Sequence, residues 1–250
     1  MQTIRIESTA STNSTLAALG DSVNTGTVLT THTQSAGRGQ RGNSWESEPG
    51  KNITLSILWR PQNIAAPEQF VLSEAVALAV ADVVDTVSPQ KAQVKWPNDI
   101  YVGDSKICGI LIENSLEGRR IARCIAGIGL NVNQTVFLSD APNPVSLAML
   151  TGRTLDRDLI EQQLIERLRQ RLSQADTSES AATLHQEYVA RLWRGEGFYP
   201  WVLPQKPSAP FMARIANVAL TGHLTLETTK GDRTVFAFKE VKPLLNGLAL

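Results

Sequence analysis

Two cysteines and three histidines in 250 residues leave little room for thiol or imidazole chemistry. Cys108 and Cys124 both lie in apolar, strand-like runs and read as small buried hydrophobes. So few cysteines build no disulfide framework, which suits a reducing, cytoplasmic setting. His32, His185 and His223 are scattered, and no His/Cys spacing suggests a zinc site. Charge of one sign is also missing: 24 Lys+Arg balance 24 Asp+Glu. That balance lacks the strong positive field of a non-specific nucleic-acid binder. No uncharged apolar run reaches the length of a membrane span. The most apolar stretch, Phe70 to Val87, is broken by Glu74, Asp82 and Asp85 and reads as a buried helix. The opening MQTIRIEST has no signal-peptide apolar core. There is no internal repeat and no low-complexity tract.

What remains is a chain that is 42% hydrophobic and 19% charged, as soluble globular proteins are. Its length allows one large domain, or one medium and one small. Thr3 to Ile6 reads as an edge-like strand. Ser11 and Thr12 offer an N-cap for a short helix ending near Gly20. Gly26 to Thr33 and Asn52 to Trp59 read as strands. Pro67 and Glu68 open a long, nearly all-apolar helix that Pro89 closes, and such a helix belongs against a sheet. From Ala92 to Asn133 the pattern is strand, hairpin, strand, with tight turns at Gly103-Asp104 and around Gly118. Hairpin-linked strands imply an antiparallel or mixed sheet, so the fold class is α+β. Two amphipathic helices follow, marked by Leu155, Leu159, Leu164, Leu168 and Leu172, and by Ala181, Leu184, Tyr188 and Leu192, with Ser178 as the second N-cap. Beyond Gly197, four prolines (Pro200, Pro204, Pro207, Pro210) read as a linker. Three β-like runs then predict a small five-stranded barrel. The boundary falls near Gly195, giving domains 1–195 and 196–250.

The densest signal is GRGQRGNSW, Gly37 to Trp45, with three glycines and two arginines in its first six residues. Glycine lets backbone approach a ligand closely, and arginine presents a fork of donors to carboxylate or phosphate. A glycine loop between two strands therefore reads as an anion-closing lid. KWPND follows at Lys95 to Asp99, then SKICGILIE at Ser105 to Glu113, then GIGLNVN at Gly127 to Asn133. With STN at Ser11 to Asn13 and Gln34 before the loop, this series of motifs resembles the biotin–protein ligases, in the form without an N-terminal DNA-binding domain. The motifs cover about Ser11 to Asn133.

The resemblance implies a class II synthetase-like catalytic domain with a small SH3-like barrel. It implies a ligase that joins biotin to ATP as biotinyl-5′-AMP. Transfer to a lysine of a biotin carboxyl carrier protein follows. Biotin and ATP with Mg²⁺ are then substrates, no prosthetic group is implied, and no dedicated metal site is readable. By the same resemblance, Ser11, Thr12, Asn13, Gln34, Gly37, Arg38, Gly39, Gln40, Lys106 and Gly109 contact biotin. Arg38, Arg41, Trp45, Asn98 and Asn131 hold the nucleotide, with Trp45 on the adenine side. Arg38 meets carboxylate and phosphates, and Lys106 bridges carboxylate and α-phosphate; these two are the catalytic pair. Asn98 and Asp99 position active-site groups or the Mg²⁺ sphere. Lys95, Trp96 and Pro97 shape their turn rather than touch substrate. The family usually has arginine directly after GRG, where this chain has Gln40.

Three other readings are weaker. Lipoate–protein ligases share fold and chemistry, but their RRxxGGG-like segment is absent. A biotin-sensing repressor needs a helix-turn-helix, and STN begins only ten residues in, leaving no room for one. A phosphate-loop NTPase needs the GK[ST] ending that this loop lacks. Neither a nucleic acid nor a membrane is an expected partner. An exposed strand edge in such a sheet serves either a homodimer or acceptor docking.

Overall fold

β-branched runs build the first strands. In the computed structural model, which describes residues 2–39, 43–139, 141 and 143–245, β1 (Thr3–Thr9) pairs in parallel with β2 (Val28–Gln34). The connection between them carries the short α1 (Thr12–Leu19). The other strand-to-strand pairings among the described residues are antiparallel. β2 joins β3 (Ile53–Trp59), β3 joins β7 (Arg120–Leu130), and β7 joins β6 (Ser105–Glu117). β6 joins β5 (Asp99–Val102), and β5 joins β4 (Ala92–Lys95). The sheet has seven strands in the order β1-β2-β3-β7-β6-β5-β4, a mixed sheet as the hairpin pattern predicts.

One face of this sheet packs on helices. α2 (Phe70–Asp85) is buried almost all round, which explains its near-continuous apolar sequence. It lies against β4 to β6 and against α4 (Arg157–Ala175) and α5 (Ser178–Ala190). Alternation along β3 sends Ile53, Leu55 and Ile57 into this core, while Thr54, Ser56 and Leu58 face the other way. On that second face α1 covers one end through Leu16, which packs with Leu29, Leu58 and Ile125. The rest of the second face is a cleft.

The α4 reading needs one adjustment. Asp156 caps it, its carboxylate accepting from the Leu159 amide at 3.0 Å, and Leu159 is 52% exposed rather than part of the stripe. The cap of α5 is Thr177, with Ser178 the first helical residue. The short α3 (Leu147–Thr151) was not anticipated; Ser146 caps it through the Met149 amide.

After α5 the proline-marked stretch is not a linker. It forms β8 (Tyr199–Leu203) and the first half of β9 (Lys206–Val218). The prolines fit because β10 (Leu224–Thr228) pairs with β9 only from Ala213 onward. Pro207 and Pro210 therefore sit where β9 has an open edge, and a missing N–H costs little. With β11 (Arg233–Phe236) and β12 (Lys242–Pro243) the order is β11-β10-β9-β8-β12, a five-stranded antiparallel unit as expected. This unit abuts the KWPND turn. The Trp96 indole donates to the Gly222 carbonyl at 2.9 Å, and its ring meets Phe238 edge-on at 6.0 Å. Among the described residues no helix is long and apolar enough to cross a membrane.

Candidate active site

A cleft of about 980 Å³ opens between α1, the glycine loop, strands β4 to β7 and the five-stranded unit. It is lined by Ser11, Thr12, Asn13, Gln34, Arg38, Gly39, Trp45, Asn98, Lys106, Gly109 and Asn131. Gly37 lies just behind it: a Cβ there would come within 2.6 Å of the Trp45 carbonyl and 2.8 Å of Gln34. Every proposed site residue among the described ones is thus at the cleft or in its wall. Gln40 and Arg41 lie outside the described residues.

Its polar end is built on the start of α1. Ser11 takes the N-cap position, but its side chain makes no capping bond. Gln34 does that work instead. Its Oε1 accepts from the Thr12 amide at 2.8 Å and from Thr12 Oγ1 at 3.1 Å. Ser56 Oγ lies 2.7 Å from Thr12 Oγ1 and 2.6 Å from Asn13 Oδ1. Asn13 Nδ2 donates to Glu113 at 2.7 Å. A chain of hydroxyls and amides thus crosses from β2 to β6 under the loop. Ser11, Thr12 and Asn13 are each at most 6% exposed, so the network is held rigidly by packing as well as by bonds.

The floor is glycine. Gly109 and Gly129 are directly opposed on β6 and β7, and the Trp45 indole lies over both. A Cβ on Gly129 would come within 2.2 Å of that ring, and one on Gly109 within 2.8 Å. A Cβ on Gly127 would come within 2.3 Å of Asn13 Oδ1. Here the motif glycines have a physical reason: side chains from the facing wall need their space. Trp45 lies on the floor between polar and cationic ends, with its Nε1 buried and unpartnered.

The described ends of the loop pair with each other. Trp45 N–H donates to Gly37 O at 2.9 Å and Gly39 N–H to Asn43 O at 2.6 Å. Arg38 points from it to Ser14 Oγ at 3.1 Å and to Glu113 at 3.4 Å. Lys106 is paired with Asp99 at 2.7 Å, and its ammonium lies 5.8 Å from the Trp45 ring centre. Asn98 is used by the fold: its side chain donates to Ile110 O at 2.7 Å. Asn131 donates to Val145 O at 3.0 Å, while its Oδ1 is buried without a partner. Among the described residues no three His, Cys, Asp or Glu side chains gather as metal ligands.

Sequence reasoning missed several cleft residues. Glu113 organises both Arg38 and Asn13, yet it reads as the polar end of an apolar motif. Glu46 lines the cleft and accepts from the amides of Leu138 and Ser139. Burial pulls its pKa up, but those bonds outweigh it and the net direction is down. Phe238, Lys239, Val241 and Lys242 reach the cleft from the five-stranded unit, and no local pattern could foretell that. Lys95 lines it too.

The family model for the biotin/lipoate A/B protein ligase family matches residues 5–131. The chain is 34% identical over 160 residues to the bifunctional ligase/repressor BirA of Salmonella typhimurium, covering 64% of this chain and 50% of that protein. It is 34% identical over 177 residues to the biotin–[acetyl-CoA-carboxylase] ligase of Mycobacterium tuberculosis, covering 68% of this chain and 63% of that one. The chain spans about half the length of the ligase/repressors it matches. In fold it is similar to the biotin protein ligase from Aquifex aeolicus in complex with biotin and ATP, with a TM-score of 0.79 and 21% identity over 98% of this chain and 99% of that one.

Proposed function

Since the chain belongs to the biotin/lipoate A/B protein ligase family, we propose that its cleft activates biotin with ATP and passes it to a lysine of a biotin carboxyl carrier protein. One observation carries this reading. A hydrogen-bonding end, a glycine floor under the Trp45 indole and a cationic end lie along one cleft. A biotin ureido ring needs donors and acceptors, and Ser11, Thr12, Asn13 and Gln34 supply both. The bicycle and its chain would lie beside the Trp45 indole, which covers Gly109 and Gly129. The carboxylate at the chain's end then reaches Arg38 and Lys106.

The first step forms a bond between a biotin carboxylate oxygen and the α-phosphorus. The bond from phosphorus to the bridging oxygen breaks, and pyrophosphate leaves with that electron pair. Neither reactant needs an enzyme nucleophile. The barrier is lowered by bringing two anions together and by cations that meet the charge on phosphorus. Arg38 and Lys106 do this, and each is free to do so only after exchanging its carboxylate: Glu113 for Arg38, Asp99 for Lys106. Magnesium enters as part of the MgATP substrate. In the second step an acceptor lysine amine attacks the mixed anhydride and AMP leaves. Asn131 Oδ1, buried without a partner, suits a donor on the nucleotide. We further propose that residues 1–195 form the catalytic unit and 196–250 a β-unit that closes the cleft. A cytoplasmic enzyme that binds neither nucleic acid nor membrane, with the β1 edge serving a homodimer or the acceptor, fits the same reading.

The test is biotin-dependent ATP–pyrophosphate exchange, with lipoate as the competing acid and a gel shift beside it. Exchange with biotin and not with lipoate is expected. Exchange with lipoate alone would move the chain to the lipoate ligases, and retention of DNA would support a repressor.

A further inference from the structure

Two cations of the cleft wall stand against carboxylates, and Lys95 does not. Arg38 has Glu113, and Lys106 has Asp99. Among the described residues no carboxylate oxygen lies within 4.0 Å of Lys95 Nζ. That ammonium donates instead to the Tyr101 hydroxyl at 2.9 Å and lies 4.8 Å from the Tyr101 ring centre. A neutral phenol and a ring face are weak company for a partly buried charge. Burial pushes the Lys95 pKa down; Asp99 opposes this, while Lys106 and Arg194 add to it. Tyr101 is itself fixed, 1% exposed and packed on Trp193 at 5.2 Å. The lysine is therefore held in place, lines the cleft, and lacks an anion.

Its place in the sheet says which anion. The glycine floor is on β6 and β7, Lys106 is the second residue of β6, Asp99 begins β5, and Lys95 ends β4 opposite Asp99. Substrate therefore runs across the sheet from β7 toward β4. In-line displacement at phosphorus sends the leaving group away from the attacking oxygen. With the carboxylate arriving from the β6–β7 side and phosphorus at Lys106, the departing pyrophosphate moves toward β4. Lys95 stands there, two strands from Lys106, or roughly 10 Å by sheet spacing.

We propose that Lys95 binds the β- and γ-phosphates of ATP and carries the negative charge of pyrophosphate as it leaves. This rests on the ligase reading and gives the KWPND lysine a substrate contact rather than a turn-shaping role. Trp96 and Pro97 then place it: the Pro97 carbonyl accepts from Tyr188 at 2.8 Å and the Trp96 indole is anchored on Gly222.

The test separates steps that need pyrophosphate from one that does not. Wild type, Lys95→Met and Lys95→Arg are compared in three measurements. These are calorimetric titration with inorganic pyrophosphate, ATP–pyrophosphate exchange with biotin, and transfer from chemically made biotinyl-AMP to the acceptor. Lys95→Met should bind pyrophosphate about tenfold to a hundredfold more weakly, the range expected for one charge-assisted contact. Its KM for ATP and for pyrophosphate should rise, while transfer from preformed adenylate proceeds at the wild-type rate. Lys95→Arg should restore most of the pyrophosphate affinity. Unchanged pyrophosphate binding in Lys95→Met overturns the proposal, and so does an equal fall in both half-reactions with a lowered melting temperature. If wild type shows no biotin-dependent exchange, the ligase reading fails, and the pyrophosphate titration still decides the role of Lys95.

Discussion

On the helix side of the seven-stranded sheet, Glu161 of α4 is 2% exposed and accepts from Thr30 at 2.8 Å and from Arg157 at 3.2 Å. Asp82 of α2 meets Arg171 at 2.8 Å and Arg191 at 3.1 Å. Buried polar groups there are answered by other side chains of the same chain. On the cleft side of the same sheet, the Trp45 and Asn131 polar atoms are buried and unanswered. Trp45 and Asn13 lie so close over three glycines that no other side chain fits there, and Lys95 faces a phenol. An unpaired buried polar group costs about 1–3 kcal/mol, so it persists only where something else selects for it. One face is finished by folding and the other is left for a ligand. Substitutions on the two faces should therefore separate stability from activity.

Lys106→Ala gives the largest expected effect. The cleft loses a charge-assisted contact made in the transition state, worth on the order of 3 kcal/mol, or about a hundredfold in adenylate formation. The melting temperature should stay near wild type, because Asp99 is 27% exposed and reaches water once freed. Single-turnover pyrophosphate release beside calorimetric melting shows both. A near wild-type rate removes Lys106 from the site.

Gly127→Ala crosses the divide. The new methyl would come within 2.3 Å of Asn13 Oδ1, which Ser56 holds on one side while Glu113 holds the Nδ2 on the other. That network cannot step aside cheaply, so overpacking should cost about 1–3 kcal/mol of stability. Biotin affinity should fall at least tenfold, since the same atoms form the polar end. Calorimetric titration with biotin checks this, and unchanged affinity would place the ring elsewhere.

The glycine floor also shows how far the sequence could be read. Helix and strand periods located nearly every element, because burial on one face writes itself into spacing. The described motif residues come together around one cleft, and each motif is legible in sequence because it is written in residue type. Gln34, Glu113 and Lys95 illustrate what was hidden. Gln34 caps α1 from 22 residues away, Glu113 joins the loop to α1, and Lys95 is defined by a partner it lacks. Such facts belong to contacts between distant segments, and no local pattern encodes them. The prolines of 200–210 misled for a related reason. A proline marks a missing donor, and only the pairing partner decides whether that donor was needed.

Glu161→Ala tests the helix side alone. Removing its carboxylate leaves Thr30 with only the Thr54 carbonyl at 3.4 Å and Arg157 with only the exposed Asp158, at about 2 kcal/mol. Urea unfolding should show that loss, while exchange activity per folded molecule stays near wild type. A fall in activity larger than the fall in folded fraction would mean the two faces are coupled.

Glu74 is the exception on the helix side, and it gives the smallest and sharpest test. It is 1% exposed in α2, with Oε1 2.7 Å from His185 Nδ1 on α5. Burial pushes its pKa from the usual 4.5 up to about 7, against the opposing pull of the His185 hydrogen bond and charge. A carboxyl raised on folding holds its proton in the native state where the unfolded chain has released it. Between roughly pH 4.5 and 7 the native state therefore binds more protons, and this group's contribution to stability falls as pH rises through that window. Above about 7 the contribution is flat. Carboxylates stabilised by partners behave in the opposite way, so the total curve hides this one. Glu74→Gln keeps shape and one acceptor but does not titrate. Near pH 5 the two proteins should be about equally stable, and by pH 7.5 the variant should gain on the order of 1 kcal/mol relative to wild type. Urea unfolding of both proteins at pH 5, 6, 7 and 8 gives the difference directly. Parallel curves would mean that Glu74 keeps one protonation state across this range, and that the helix side is as fully answered at Glu74 as it is at Glu161.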